Sequence, residues 1–171
     1  MRTKFALYAA VLAIAALGVL VSSSAAAADH KGKRTLRIVA VENQFEFLDL
    51  GTPGPSLGDQ FVFSEVLFRR GREAGVSGGA CTATEVTPPY DVLTFHCVAT
   101  LSLRRGQITL QGLIEVQGED DPGPWTVAIT GGTGAFRSAG GEAVIRGVSP
   151  RRTVYKLRLD VDKKKKRKHK N

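Results

Sequence analysis

The chain has 171 residues, 43% of them hydrophobic, with a formal net charge of +8. The length fits a single domain. Two cations, Arg2 and Lys4, lie in the N-terminal segment and seven more in residues 163–171, which leaves 15 cations against 16 acids in residues 29–162. A nearly neutral domain argues against specific nucleic-acid binding, and His30, His96 and His169 are too scattered to suggest a metal site, so no cofactor or metal is expected.

Residues 1–28 read as a signal peptide. Arg2 and Lys4 precede an apolar run from Phe5 to Val21, and a stretch of serines and alanines ends at Ala28. Basic, apolar and small residues in that order mark export. The alternative is a retained anchor, although the run falls short of the ~20 residues that span a bilayer comfortably. The expectation is therefore a secreted, extracellular protein.

Residues 29–35 read as a linker and 36–162 as the domain. Eight short runs rich in Val, Ile, Thr and Phe are separated by Gly and Pro, which predicts strands. They span 36–50 (bent near Glu42 and Asn43), 59–69, 73–87, 91–103, 107–116, 125–130, 141–148 and 153–161. In the last, Tyr155, Leu157, Leu159 and Val161 share one face at period two. In the fifth, Ile108, Leu110, Gly112, Ile114 and Val116 share a face, while Leu113 lies on the other with Gln111 and Glu115. Short connections favour antiparallel neighbours. Eight such strands predict an all-β, eight-stranded antiparallel β-barrel, which removes exposed edges; a sandwich is the alternative on pattern alone.

The two cysteines support one hairpin. Cys81 and Cys97 are equidistant from Pro89, the middle of the Pro88-Pro89-Tyr90 turn. Facing residues of an antiparallel pair have a constant index sum, so turn and cysteines select the same register. In an exported protein that pair is expected to form a disulfide. Residues 163–171 read as a disordered Lys-rich tail with nothing apolar to bury. The bland reading is a solvated tail; the functional one is a contact with an anionic membrane or wall surface.

The segment GGTGAFRSAGGEA, residues 131–143, carries the most specific pattern. Gly131, Gly132 and Gly134 are expected to allow positive φ in a tight turn, with Phe136 buried against the barrel. The Lys-Ser/Thr ending of a phosphate-binding loop is missing. This segment resembles the GGTGxFRxARG stretch of dirigent proteins and the GGSGxFEGxxG stretch of allene oxide cyclases. LGDQFVFSEVLF (57–68) and GQITLQG (106–112) are similar to the cyclases' LGDLVPFxNxLY and GHxSVQG, in the same order. The resemblance covers roughly residues 36–160. It implies an eight-stranded barrel, a short 3₁₀ or helical turn near Ala135–Ala139, and a homotrimer.

It also implies a site. Allene oxide cyclases hold a fatty-acid epoxide in an apolar barrel, with a Glu on the first strand and an Asn-held water. Glu42 is the candidate for that Glu, and Glu65 occupies the Asn position. A pocket cysteine of the family falls at Cys81. Dirigent proteins steer phenoxy-radical coupling; their ARG-triplet Arg is Gly140 here and their acid after GGTG is Ala135. The candidate catalytic residues are Glu42 and Glu65, as base or charge stabiliser. The ligand-binding candidates are Gln111 and Tyr155, as hydrogen-bonding partners. The functional expectation is a barrel that binds a small apolar ligand and assists its isomerisation, cyclisation or stereoselective coupling. The alternative is a non-catalytic structural or surface-attached barrel, its lumen filled by Phe45, Phe47, Phe61, Phe63 and Phe95.

Overall fold

The computed structural model describes residues 31–89, 92–118 and 121–162. The expected signal peptide, the first two residues of the expected linker, Tyr90, Asp91, Glu119, Asp120 and the expected tail lie outside the described residues. Eight strands are joined in chain order: β1 (Lys31–Leu48), β2 (Gln60–Arg69), β3 (Arg72–Thr87), β4 (Val92–Leu103), β5 (Gly106–Gln117), β6 (Trp125–Gly132), β7 (Gly140–Ser149) and β8 (Arg152–Asp162). Each pairs antiparallel with the next and β1 pairs with β8, closing the barrel. The chain is therefore a closed eight-stranded barrel and not a sandwich. β1 begins at Lys31, so residues 31–35, expected as linker, are ladder residues facing β8 from Asp162 to Arg158.

Alternation along the strands sets the lumen. Leu36, Ile38, Leu67, Leu101, Ile108, Leu157 and Leu159 point inward and are almost fully buried. They close one end, which we call the base; the turns β2–β3, β4–β5 and β6–β7 lie there. Phe136, in a 3₁₀ turn over Gly134–Phe136, joins this core at 4% exposure. The turn is tied to its neighbour by hydrogen bonds from Ala135 N–H to the Arg105 carbonyl (2.7 Å) and from Thr133 N–H to the Gln107 carbonyl (2.9 Å). Only one glycine of the expected trio needs left-handed backbone. Gly134 has φ +57, and a Cβ there would sit 2.5 Å from the Arg105 carbonyl oxygen. Gly132 is required by close approach, its Cβ position lying 2.5 Å from the Gln107 carbonyl, whereas Gly131 shows neither constraint.

The opposite end, the mouth, carries the loops β1–β2, β3–β4, β5–β6 and β7–β8. Cys81 faces Cys97 across β3 and β4 in the expected register, and the two form a disulfide. Bonds of this kind persist in oxidising compartments. Asp59, 1% exposed, organises the β1–β2 loop by accepting Leu50 N–H (2.9 Å) and Ser56 N–H (2.7 Å).

Phe136→Ala should cost about 3–5 kcal/mol, as loss of a buried Phe does. Gly134→Ala should cost less, on the order of 1–2 kcal/mol for a left-handed Ala, plus the strain of the Arg105 contact. Urea denaturation of both variants checks the order; a larger loss for Gly134→Ala would contradict it.

Candidate functional site

The site is built by one strand irregularity. Along β1, Leu36, Ile38, Ala40 and Glu42 alternate inward. Between Glu42 and Gln44 the register with β2 shifts by one, leaving Asn43 as a bulge. A bulge reverses the facing of everything after it. Phe45 and Phe47, not Gln44 and Glu46, therefore turn inward, opposite Phe63 and Phe61. The expected bend near Glu42 and Asn43 is this bulge.

Four phenylalanines make a continuous aromatic wall at the mouth. Phe45 stacks on Phe61 with ring centroids 5.7 Å apart, Phe61 lies 6.3 Å from Phe63, and Phe95 meets Phe61 edge-on at 5.1 Å. Exposure falls along the wall from Phe45 (53%) to Phe95 (5%), and Phe47 is 45% exposed. These rings therefore do not simply fill the lumen: the outer ones line an accessible apolar mouth. Gly79 makes room for this wall, since a Cβ there would meet the Phe63 ring at 2.6 Å.

Two residues past Phe63 along β2, Glu65 points inward at 8% exposure. Ser77 of β3 donates to its Oε2 (2.6 Å), and the Tyr155 hydroxyl of β8 donates to the same oxygen (2.9 Å). Among the described residues none donates to Oε1, so that oxygen is the one placed to take a proton. Burial pushes the Glu65 carboxyl above its ordinary value of 4.5; the two hydrogen bonds act against this, and the charge of Glu42 adds to the rise. Burial first, and then the charge of Glu65, hold the Tyr155 phenol well above 10.0. Tyr155 thus remains a neutral donor beside a carboxyl biased toward holding a proton.

Glu42 lies directly across from Glu65 in the β1–β2 ladder. Its side chain is one-third exposed and reaches Arg151 of the β7–β8 turn (Oε1 to Nε, 3.5 Å). The structure thus brings Glu42, Glu65 and Tyr155 together. Gln111 does not belong with them. It is exposed on the outer wall, its Nε2 2.9 Å from the His96 Nε2. The inward residues of β5 are Ile108, Leu110, Gly112, Ile114 and Val116, so alternation excludes Gln111 from the lumen. Cys81, buried under the aromatic wall, is held in the disulfide and offers no thiol. Ser77 was not foreseen from the sequence. Its signal is its register opposite Glu65, which a bulge in β3 displaces by one residue. Among the described residues no cluster of three or more His, Cys, Asp or Glu could hold a metal.

The chain belongs to the allene oxide cyclase barrel-like domain family, whose model matches residues 35–159. Among solved structures it is similar to a pyocyanin demethylase at 35% identity, covering 74% of this chain and 99% of that one with a TM-score of 0.64. It also resembles a pterocarpan synthase dirigent protein (16% identity, 92% and 100% covered, TM-score 0.62) and an exo-specific intermolecular Diels-Alderase (15%, 75% and 97%, TM-score 0.58). The last two likenesses establish the fold. A comparison with curated proteins finds no match.

The raised Glu65 value makes stability depend on pH. A carboxyl with a raised folded pKa binds its proton more tightly in the folded state. The stability it contributes is full below the unfolded value, near 4.5, and is lost as pH rises through the folded value. Glu65→Gln keeps an acceptor for Ser77 and Tyr155 but cannot ionise. Its stability relative to wild type should therefore improve from acid to neutral pH, read by urea denaturation at both. A constant difference across that range would contradict the assignment.

Proposed function

We propose that this barrel is an exported protein that takes a flat, apolar small molecule into its phenylalanine mouth and moves a proton on it with Glu65. The observation that carries this reading is the Glu65–Tyr155–Ser77 group at the inner end of an aromatic wall whose outer rings are open to solvent. Ionised Glu65 is the base, with burial raising its basicity toward neutral pH. Tyr155 holds Oε2 in place through a hydrogen bond that survives both protonation states. Glu42, tethered by Arg151, adds a second negative charge beside the site. Proton removal and return of this kind serves isomerisation, cyclisation or coupling of an apolar metabolite.

The rim narrows the ligand class. Glu46, Glu85, Glu115 and Asp121 lie at the mouth end and outnumber Arg151 and Arg152 of the β7–β8 turn, so a neutral or cationic molecule enters more readily than an anion. The likeness to a pyocyanin demethylase makes flat aromatic heterocycles the first class to test. The signal-like N-terminus and the disulfide together support export. A homotrimer is supported by the outer wall of β2–β5, where Val62, Val76, Val98 and Leu113 are exposed. No Lys, Arg, Asp or Glu faces outward between Gln60 and Phe68, Val76 and Thr82, Thr94 and Ser102, or Gln107 and Leu113.

Titration with pyocyanin and with an uncharged tricyclic aromatic tests the reading by calorimetry and absorbance. Both should bind. Phe45→Ala with Phe47→Ala should weaken binding about 3–10-fold, the worth of aromatic contacts of about 0.5–1.5 kcal/mol, with little effect on stability because both rings are half exposed. Glu65→Gln should retain binding while abolishing any turnover. If neither compound binds, or the phenylalanine pair is without effect, the non-catalytic barrel is the better account.

A further inference from the structure

The near-neutral charge of residues 29–162 conceals a separation by ends. The three hairpin turns at the base carry six exposed arginines: Arg69, Arg70 and Arg72 at β2–β3, Arg104 and Arg105 at β4–β5, and Arg137 at β6–β7. The β2–β3 turn is a two-residue hairpin with Arg70 and Gly71 both left-handed (φ 55 and 75). Arg69, Arg70 and Arg72 are all exposed there. The other two turns are pinned to each other by the Ala135 N–H to Arg105 carbonyl bond. Among the described residues the ion pairs are Arg151–Glu42 and Arg158–Glu142, so none of the six is neutralised. The acids described at this end are Glu73, Glu142, Asp160 and Asp162, fewer than the six arginines, and Glu142 is paired with Arg158.

The same end receives the continuation of the chain. β8 runs toward the base and finishes at Asp162, and nine residues follow, seven of them Lys or Arg. The arginine turns and the end of β8 thus lie on one side of the molecule, with the mouth on the other. The large apolar side chains exposed at the loops and strand ends, Phe45, Phe47, Leu50 and Leu57, are at the mouth end, so the base presents charge without an apolar wedge.

We propose that the base is a docking face for an anionic phospholipid bilayer, on which the barrel sits with its mouth turned away from the lipid. A flat array of phosphates matches arginines spread over three separate turns, and guanidinium binds phosphate in a bidentate fashion. A nucleic-acid site would instead line a groove and interleave aromatic rings, whereas Phe136, the aromatic residue of these turns, is buried. Binding without insertion is electrostatic, salt-reversible and independent of the lumen.

Co-sedimentation of the full chain with phosphatidylcholine vesicles, with and without phosphatidylglycerol, tests it. Binding should need the anionic lipid and disappear at high salt. Each cation near such a surface is worth roughly fivefold in partitioning. Arg69→Gln, Arg70→Gln, Arg72→Gln, Arg104→Gln and Arg105→Gln combined should therefore weaken binding at least about tenfold with the tail intact. Deleting residues 163–171 should leave a measurable, salt-sensitive remainder. The pair Arg104→Gln and Arg105→Gln alone, with a melting curve, guards against misfolding and should still weaken binding. Unchanged binding in a folded turn variant would assign the contact to the tail and overturn the proposal. So would tighter capture by wall polymer or by DNA in competition with the vesicles.

Discussion

The ladder between the first and last strands is the contact on which the rest of the molecule depends. From Lys31 opposite Asp162 to Val41 opposite Arg152, β1 and β8 pair without a break. That pairing turns an open meander into a barrel, and closure gives every strand one inner and one outer face. Which side chains enter the lumen is then a matter of parity and bulges. The Asn43 bulge admits Phe45 and Phe47 in place of Gln44 and Glu46. Parity forces Glu65 inward between Phe63 and Leu67, and β8, closing beside β1, brings the Tyr155 hydroxyl to it.

Burying Glu65 works against folding, because a desolvated carboxylate is unfavourable unless hydrogen-bonded. Ser77 and Tyr155 offset part of that cost through Oε2. The remainder appears as a raised affinity for a proton, which is the property a base near neutral pH needs. The base of the barrel, packed with leucine, isoleucine and Phe136, supplies stability that the polar middle does not.

Strand positions were legible because Gly and Pro punctuate the chain at each turn and the apolar residues alternate between them. The cysteine pair was legible because its register agrees with the turn at Pro88 and Pro89, although a bulge between Ala83 and Glu85 shifts the turn end of that ladder by one. Glu65 could be named as an acid within a strand, but its facing depended on the closed barrel. Gln111 was misplaced even though its parity opposite to Ile108 and Leu110 was readable. Ser77 was hidden because the index sum of the β2–β3 hairpin changes by one between Leu67 and Phe68. The cationic base was hidden for another reason: net charge averages over the domain, whereas the topology sends three arginine-bearing turns to one end and most strand-end acids, with Arg151 and Arg152, to the other.

Glu65 is a buried, hydrogen-bonded carboxyl two residues along β2 from the aromatic mouth. Carbon-13 NMR of protein labelled at the Glu side-chain carboxyls tests this most directly, with Glu65→Gln supplying the assignment. One resonance, absent from the variant, should titrate above the ordinary glutamate range and move when a flat aromatic molecule occupies the mouth. Glutamates that all titrate within the ordinary range, or a Glu65 signal indifferent to a bound aromatic, would contradict it.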